Sequence, residues 1–116
     1  MMTLRGDLTG AWELLSFNVS DGSRPLGNQP QGLILYTGDG HMSAQLTGGD
    51  QHIAYGGRFS VDEETATVHH QVSISTMPEL LAAPQFRHAA VRGDELILST
   101  ADAVLVWRRA AGQDRR

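Results

Sequence analysis

The stretch Gly32-Leu33-Ile34-Leu35-Tyr36-Thr37-Gly38-Asp39-Gly40-His41-Met42-Ser43-Ala44-Gln45-Leu46 decides the fold class. An apolar run ending in an aromatic residue meets Thr-Gly-Asp-Gly, and an alternating run follows. Gly38-Asp39-Gly40 supplies the positive backbone angles that a tight reversal needs, so residues 31–46 read as a β-hairpin. In its second arm Met42, Ala44 and Leu46 share one face while His41, Ser43 and Gln45 share the other. A strand with one apolar and one polar face is a wall between a core and water.

The same design recurs on both sides of the hairpin. Residues 8–19 form a first strand, with Trp12, Leu14 and Ser16 on one side and Leu15, Phe17 and Val19 on the other. Ser20 to Pro30 is a loop of Gly, Pro, Asn and Asp without periodicity, long enough to act as a lid or rim. Residues 47–52 form a second loop before a strand at 53–61 that carries Tyr55, Gly57, Phe59 and Val61 on one face. Its paired glycines mark a bend or bulge, as closed sheets need at their corners. Residues 66–74 show the clearest alternation, Val68, His70, Val72 and Ile74 against Thr67, His69, Gln71 and Ser73. The segment 75–84, bounded by Pro78 and Pro84, allows a helical turn at most. Strands at 85–91, 95–100 and 103–109 complete the set. The expectation is an all-β, eight-stranded antiparallel up-and-down barrel with little or no helix. Eight strands leave an interior just wide enough for side chains or for one small ligand.

A chain of 116 residues has room for one such domain. We divide it into an N-terminal lead-in (1–7), the barrel (8–109) and a C-terminal tail (110–116). The net charge of −4 and pI near 5.6 argue against general nucleic-acid binding, which needs a basic face. Arg108, Arg109, Arg115 and Arg116 at the C-terminus read as a solvated tail. With no cysteine, disulfides and thiolate sites are excluded. No apolar run suggests a signal peptide or a membrane span, so a cytoplasmic setting without a membrane partner is expected.

Five segments in order resemble the bacterial lipocalin-like domain family. They are Leu8-Thr9-Gly10-Ala11-Trp12-Glu13-Leu14, the central hairpin, Tyr55-Gly56-Gly57-Arg58-Phe59-Ser60-Val61-Asp62, Thr67-Val68-His69-His70-Gln71-Val72, and Gln85-Phe86-Arg87 with Gly93-Asp94-Glu95-Leu96-Ile97-Leu98-Ser99-Thr100. The resemblance implies a calycin-type barrel whose central cavity holds a small, largely apolar molecule. Members of that family look like binding proteins, pathway partners, or occasional isomerases, cyclases and lyases. Two departures stand out. The connection from Leu46 to Tyr55 is short, and Glu79-Leu80-Leu81 replaces an aromatic after Pro78. Both fall where the barrel mouth is expected.

His70 leads the residues that can carry chemistry, because it shares its face with valines and an isoleucine. It reads either as an imidazole that orients a ligand or takes a proton, or as a buried histidine held by a neighbouring oxygen. His69 points the opposite way, so the two cannot chelate one metal together. His88 shares a face with Phe86 and Ala90 and is expected to approach His70 inside the barrel. No metal site and no cofactor are expected from these spacings. Arg87 is a candidate for holding a carboxylate or enolate oxygen, whereas Arg58 reads as an outward surface residue. Tyr36, Tyr55, Phe59 and Met42 are expected to line the cavity with Phe86, Arg87, His88 and His70. Asp50 and Glu79 are loop carboxylates near the mouth.

The expected function is binding of a small apolar or aromatic molecule in the barrel. The alternative is a cofactor-free isomerase, cyclase or lyase in which His70 and Arg87, with Tyr36, move a proton beside a carbonyl. A third possibility is a barrel filled by its own side chains. A homodimer through an outer face is a further expectation that no motif places.

Overall fold

A computed structural model describes residues 3–110. Eight strands run in chain order around a closed barrel: β1 (Gly10–Val19), β2 (Gln31–Tyr36), β3 (His41–Gly48), β4 (Gln51–Asp62), β5 (Thr67–Ser75), β6 (Gln85–Arg92), β7 (Glu95–Ser99) and β8 (Ala103–Arg109). Each strand pairs antiparallel with the next, and β8 returns to β1 through a ladder from Trp12↔Arg109 to Val19↔Ala103. The all-β up-and-down barrel is therefore the observed fold. Two short helices accompany it, α1 (Leu4–Leu8) and α2 (Glu79–Ala82). Arg115 and Arg116, expected in a solvated tail, lie outside the described residues.

The central hairpin forms where it is expected, although of Gly38-Asp39-Gly40 only Gly40 takes a positive φ, 94°. Tyr36 pairs with Met42, and Ile34, Tyr36, Met42, Ala44 and Leu46 are all buried on the inner face. The expected loop at 47–52 is tighter than its composition suggests. β3 continues to Gly48 and β4 starts at Gln51, leaving Gly49 and Asp50 as the turn.

Two bulges change which side chains face inward. In β1, Leu14 pairs with Trp107 and Ser16 with Val106, so Leu15 is the extra residue. Leu15 is pushed outward, while Phe17 packs on the core. In β5, Val72 pairs with Gly57 and Ile74 with Gly56, so Ser73 is extra. This overturns the expectation that Ile74 shares the face of Val68, His70 and Val72, because one inserted residue reverses every side chain beyond it. Ile74 is 71% exposed. Gly57 makes the bulge sterically allowed, since a Cβ there would collide with the Gln71 carbonyl.

One end of the barrel is sealed. Leu8, at the end of α1, is fully buried, and the Trp12 indole N–H donates to its carbonyl at 2.9 Å. The Arg109 guanidinium lies 4.1 Å from the Trp12 ring centroid and donates to the carbonyls of Asp7 and Thr9. Glu63, in the β4–β5 turn, accepts the backbone N–H groups of Leu4 and Arg5 at 2.9 and 3.1 Å. These are orphan donors of the first helical turn, so the carboxylate pins α1 across the barrel end. Above this seal Trp107, Leu96, Val68, Ile34 and Tyr36 fill the lower barrel. The opposite end is rimmed by the 20–30 loop, anchored through buried Leu26, and by α2.

Candidate functional site

The upper barrel is not filled. A cavity of about 240 Å³ opens at the mouth, bounded by Phe17 of β1, Leu46 of β3, Ile53 and Tyr55 of β4, and Ala103 and Leu105 of β8. Met77 and Leu80 come from the α2 segment, Arg87 from β6 and Thr100 from the β7–β8 turn. The wall is apolar apart from Tyr55, Arg87 and Thr100, and no carboxylate lines it.

Tyr55 reaches this cavity because its alternation with Phe59 runs unbroken through β4. Arg87 reaches it through register. Cross-strand partners in an antiparallel ladder point to the same face, and Arg87 is paired with inward Val68. Arg87 is partly buried, with Nη1 donating to the Phe86 carbonyl at 2.9 Å and Nη2 to Gln85 Oε1 at 3.4 Å.

Deeper in the barrel, Tyr36 Oη and His70 Nε2 stand 2.7 Å apart. Phe59 meets the Tyr36 ring edge-on at 4.8 Å, and the Tyr55 ring lies 6.0 Å from the imidazole. His70 is 1% exposed, and its Nδ1 has no hydrogen-bond partner. Burial, with the Arg87 and His69 charges adding to it, lowers the His70 pKa to about 3. Burial raises Tyr36 well above the usual tyrosine value, with Tyr55 adding to the rise and Arg87 opposing it. Tyr55 is also raised by burial, against the pull of Arg87. Desolvation disfavours the charged form of each group. At neutral pH the interior therefore holds three neutral polar groups beneath one cation.

His70 forms the last rung of the β5–β6 ladder, opposite Gln85. Beyond it the two strands part and α2 lies against β5. A recess of about 300 Å³ occurs there, lined by His70, Gln71, Val72 and residues 80–84. Leu80 lines both the recess and the mouth cavity.

The residues expected to form the site divide into three groups. Tyr55 and Arg87 line the mouth cavity. Tyr36, Met42, Phe59 and His70 lie inside but form the packed floor below it. Phe86 and His88 do not face inward, which corrects their assignment as lining residues. Phe86 is 54% exposed and stacks on outward His69 at 4.5 Å, and His88 is exposed. The inner residues of β6 are Arg87, Ala89 and Val91, because the pairing with Val68 fixes that phase. Arg58, Asp50 and Glu79 are exposed. No cluster of three His, Cys, Asp or Glu suited to a metal occurs among the described residues.

Sequence reading missed Phe17, Ile53, Leu80, Thr100, Ala103 and Leu105 as lining residues. Phe17 was hidden by the bulge at Leu15. Leu80 had a visible signal, since it sits in the Glu79-Leu80-Leu81 departure beside the expected mouth.

A family model for the lipocalin-like domain matches residues 9–52 and 48–114. The chain belongs to the lipocalin-like domain family. No curated protein and no solved structure matches it. The two matched segments of this lipocalin-like domain meet at the tight β3–β4 turn. Among the described residues, no helix is long and apolar enough to cross a membrane.

Proposed function

We propose that this lipocalin-like domain binds one small, largely apolar or aromatic molecule in its mouth cavity, oriented by Arg87 and Tyr55. The carrying observation is a largely apolar mouth cavity that counts Arg87 and Tyr55 among its lining residues. Its 240 Å³ is below the roughly 300–1,000 Å³ of sites for drug-sized ligands, which suits a compact metabolite. Native mass spectrometry of the freshly purified protein, followed by denaturation to release and identify any adduct, tests this. A stoichiometric adduct that disappears on Leu105→Trp, which fills the cavity, is the expected result. A protein that retains nothing, and shows no thermal shift with compact apolar carbonyl compounds, would favour the filled barrel instead.

A second reading, cofactor-free proton transfer beside a carbonyl, draws support from the Tyr36–His70 contact. The electrostatics weigh against it. A histidine with a pKa near 3 is a weak base at neutral pH, and a tyrosine raised well above its usual value is a weak acid. The pair suits hydrogen bonding better than proton abstraction, so binding ranks first.

A further inference from the structure

We infer that the ligand is a carboxylate, a monoanion on a compact apolar body, with Arg87 as its counterion. This rests on the mouth cavity being a binding site and adds the charge and shape of the ligand's polar end.

Arg87 is the cavity's one charged lining residue. Its two hydrogen bonds go to neutral acceptors, a backbone carbonyl and an amide oxygen. Among the described residues no arginine side chain pairs with a carboxylate, and the one His–Asp contact, His41 with Asp39, lies on the exposed central hairpin. The chain has 13 acidic residues against nine basic ones, yet none of those carboxylates lines this cavity. A cation facing an apolar wall without a counterion is disfavoured unless something supplies the opposite charge. An arginine offers five N–H donors in a planar fork, and two contacts leave donors free.

The charge also acts on the groups beneath it. Arg87 disfavours protonation of His70 and favours ionisation of Tyr36 and Tyr55. Arg87 is thus the one charged side chain of the cavity wall, with no negative side chain lining the cavity to offset it. A cationic ligand is repelled. A neutral carbonyl uses one donor and leaves the charge uncompensated. A carboxylate matches the guanidinium fork with two oxygens, and Tyr55, which lines the same cavity, carries a further hydroxyl donor. The remaining wall, Phe17, Leu46, Ile53 and Leu105 among it, then takes an aryl or short alkyl body.

The test is isothermal titration of the full chain with phenylacetate and hexanoate and with their amides, which match them in shape but carry no charge. The acids are expected to bind at least about tenfold more tightly than the amides, the scale of a charge-assisted hydrogen bond. Arg87→Gln should lower acid affinity about tenfold or more and amide affinity by much less, since the amide loses one neutral hydrogen bond and the acid loses its counterion. Equal binding of acid and amide by the wild-type protein, or undiminished acid binding by Arg87→Gln, would overturn the carboxylate inference while leaving the cavity as a binding site. Binding of none of the four probes, with no adduct in native mass spectrometry, would overturn both. If Arg87→Gln fails to fold, Arg87→Lys and the wild-type acid-to-amide ratio decide. Lysine keeps the charge without the fork, so intermediate acid affinity is expected, and a wild-type ratio near one refutes the inference.

Discussion

Tyr36 Oη lies 2.7 Å from His70 Nε2, joining β2 to β5 across the barrel interior although β3 and β4 separate those strands in the wall. Both side chains are almost wholly buried, and both are held neutral by desolvation. The bond spans the lower core just beneath the mouth cavity. It satisfies one imidazole nitrogen and leaves Nδ1 unpartnered.

Tyr36→Phe should therefore destabilise by about 1–3 kcal/mol, the cost of stranding a second buried polar atom on His70. The double variant Tyr36→Phe with His70→Phe should cost less than the sum of the two single changes, because no polar atom is then left unpaired. Urea unfolding of the four proteins measures this. Strict additivity would show that the contact contributes no coupling.

Acid stability should carry the signature of His70. Its folded pKa of about 3 lies below the ordinary 6.5, so between those values the unfolded chain binds a proton that the folded chain refuses. The contribution is full above about pH 6.5 and is lost as pH falls toward 3, with a slope approaching about 1.4 kcal/mol per pH unit. Tyr36 acts at the other extreme. Its raised pKa makes stability fall as pH rises above 10, where the unfolded tyrosine ionises first. Denaturant midpoints across pH should show a shallower acid limb in His70→Phe than in the wild type.

Gly57→Ala should be destabilising by about 1–3 kcal/mol or more, since its Cβ would drive into the Gln71 backbone at the β5 bulge. Gly38→Ala is the control. That glycine faces open space and has no left-handed backbone conformation, so it should leave the melting temperature nearly unchanged. Comparable melting temperatures for the two variants would show that β5 shifts to make room.

Phe86→Ala and His88→Ala should leave ligand retention unchanged, because both side chains stand outside the barrel. Phe17→Ala should weaken it several-fold by enlarging the cavity and removing apolar contact. Loss of binding in His88→Ala would contradict the orientation of β6.

Glu63→Ala should loosen α1 at a cost of about 1 kcal/mol, since two backbone donors lose their acceptor. Faster hydrogen exchange at the Leu4 and Arg5 amides, with little change in the barrel strands, is the expected pattern.

Much of the barrel was legible because a strand with two environments alternates with period two. β3 carries its apolar face openly, and β5 does so as far as Val72, while β2 is apolar on both faces. This alternation put Met42 and His70 on apolar faces, whereas the inward face of β4, with Phe59, became clear only in the closed barrel. β6 resisted the same reading, since Gln85-Phe86-Arg87-His88 mixes polar and aromatic residues on both faces. Hydrophobicity favours Phe86 inward, but the ladder with β5 puts Arg87 there and leaves Phe86 to stack on His69.

The sequence by itself determined the number of strands, their order, the central hairpin and the inner face wherever alternation is clean, because each is a local property of spacing and turn chemistry. The tertiary structure alone decided the phase of β1 beyond Leu15, of β5 beyond Ser73 and of β6 throughout. A bulge or a partner strand sets that phase, and a shift of one residue exchanges inside for outside. It also brought together Tyr36 and His70, 34 residues apart in the chain, and set Arg87 at the mouth without a counterion. Closing the barrel creates those relationships, since each depends on the register between strands as well as the pattern within one.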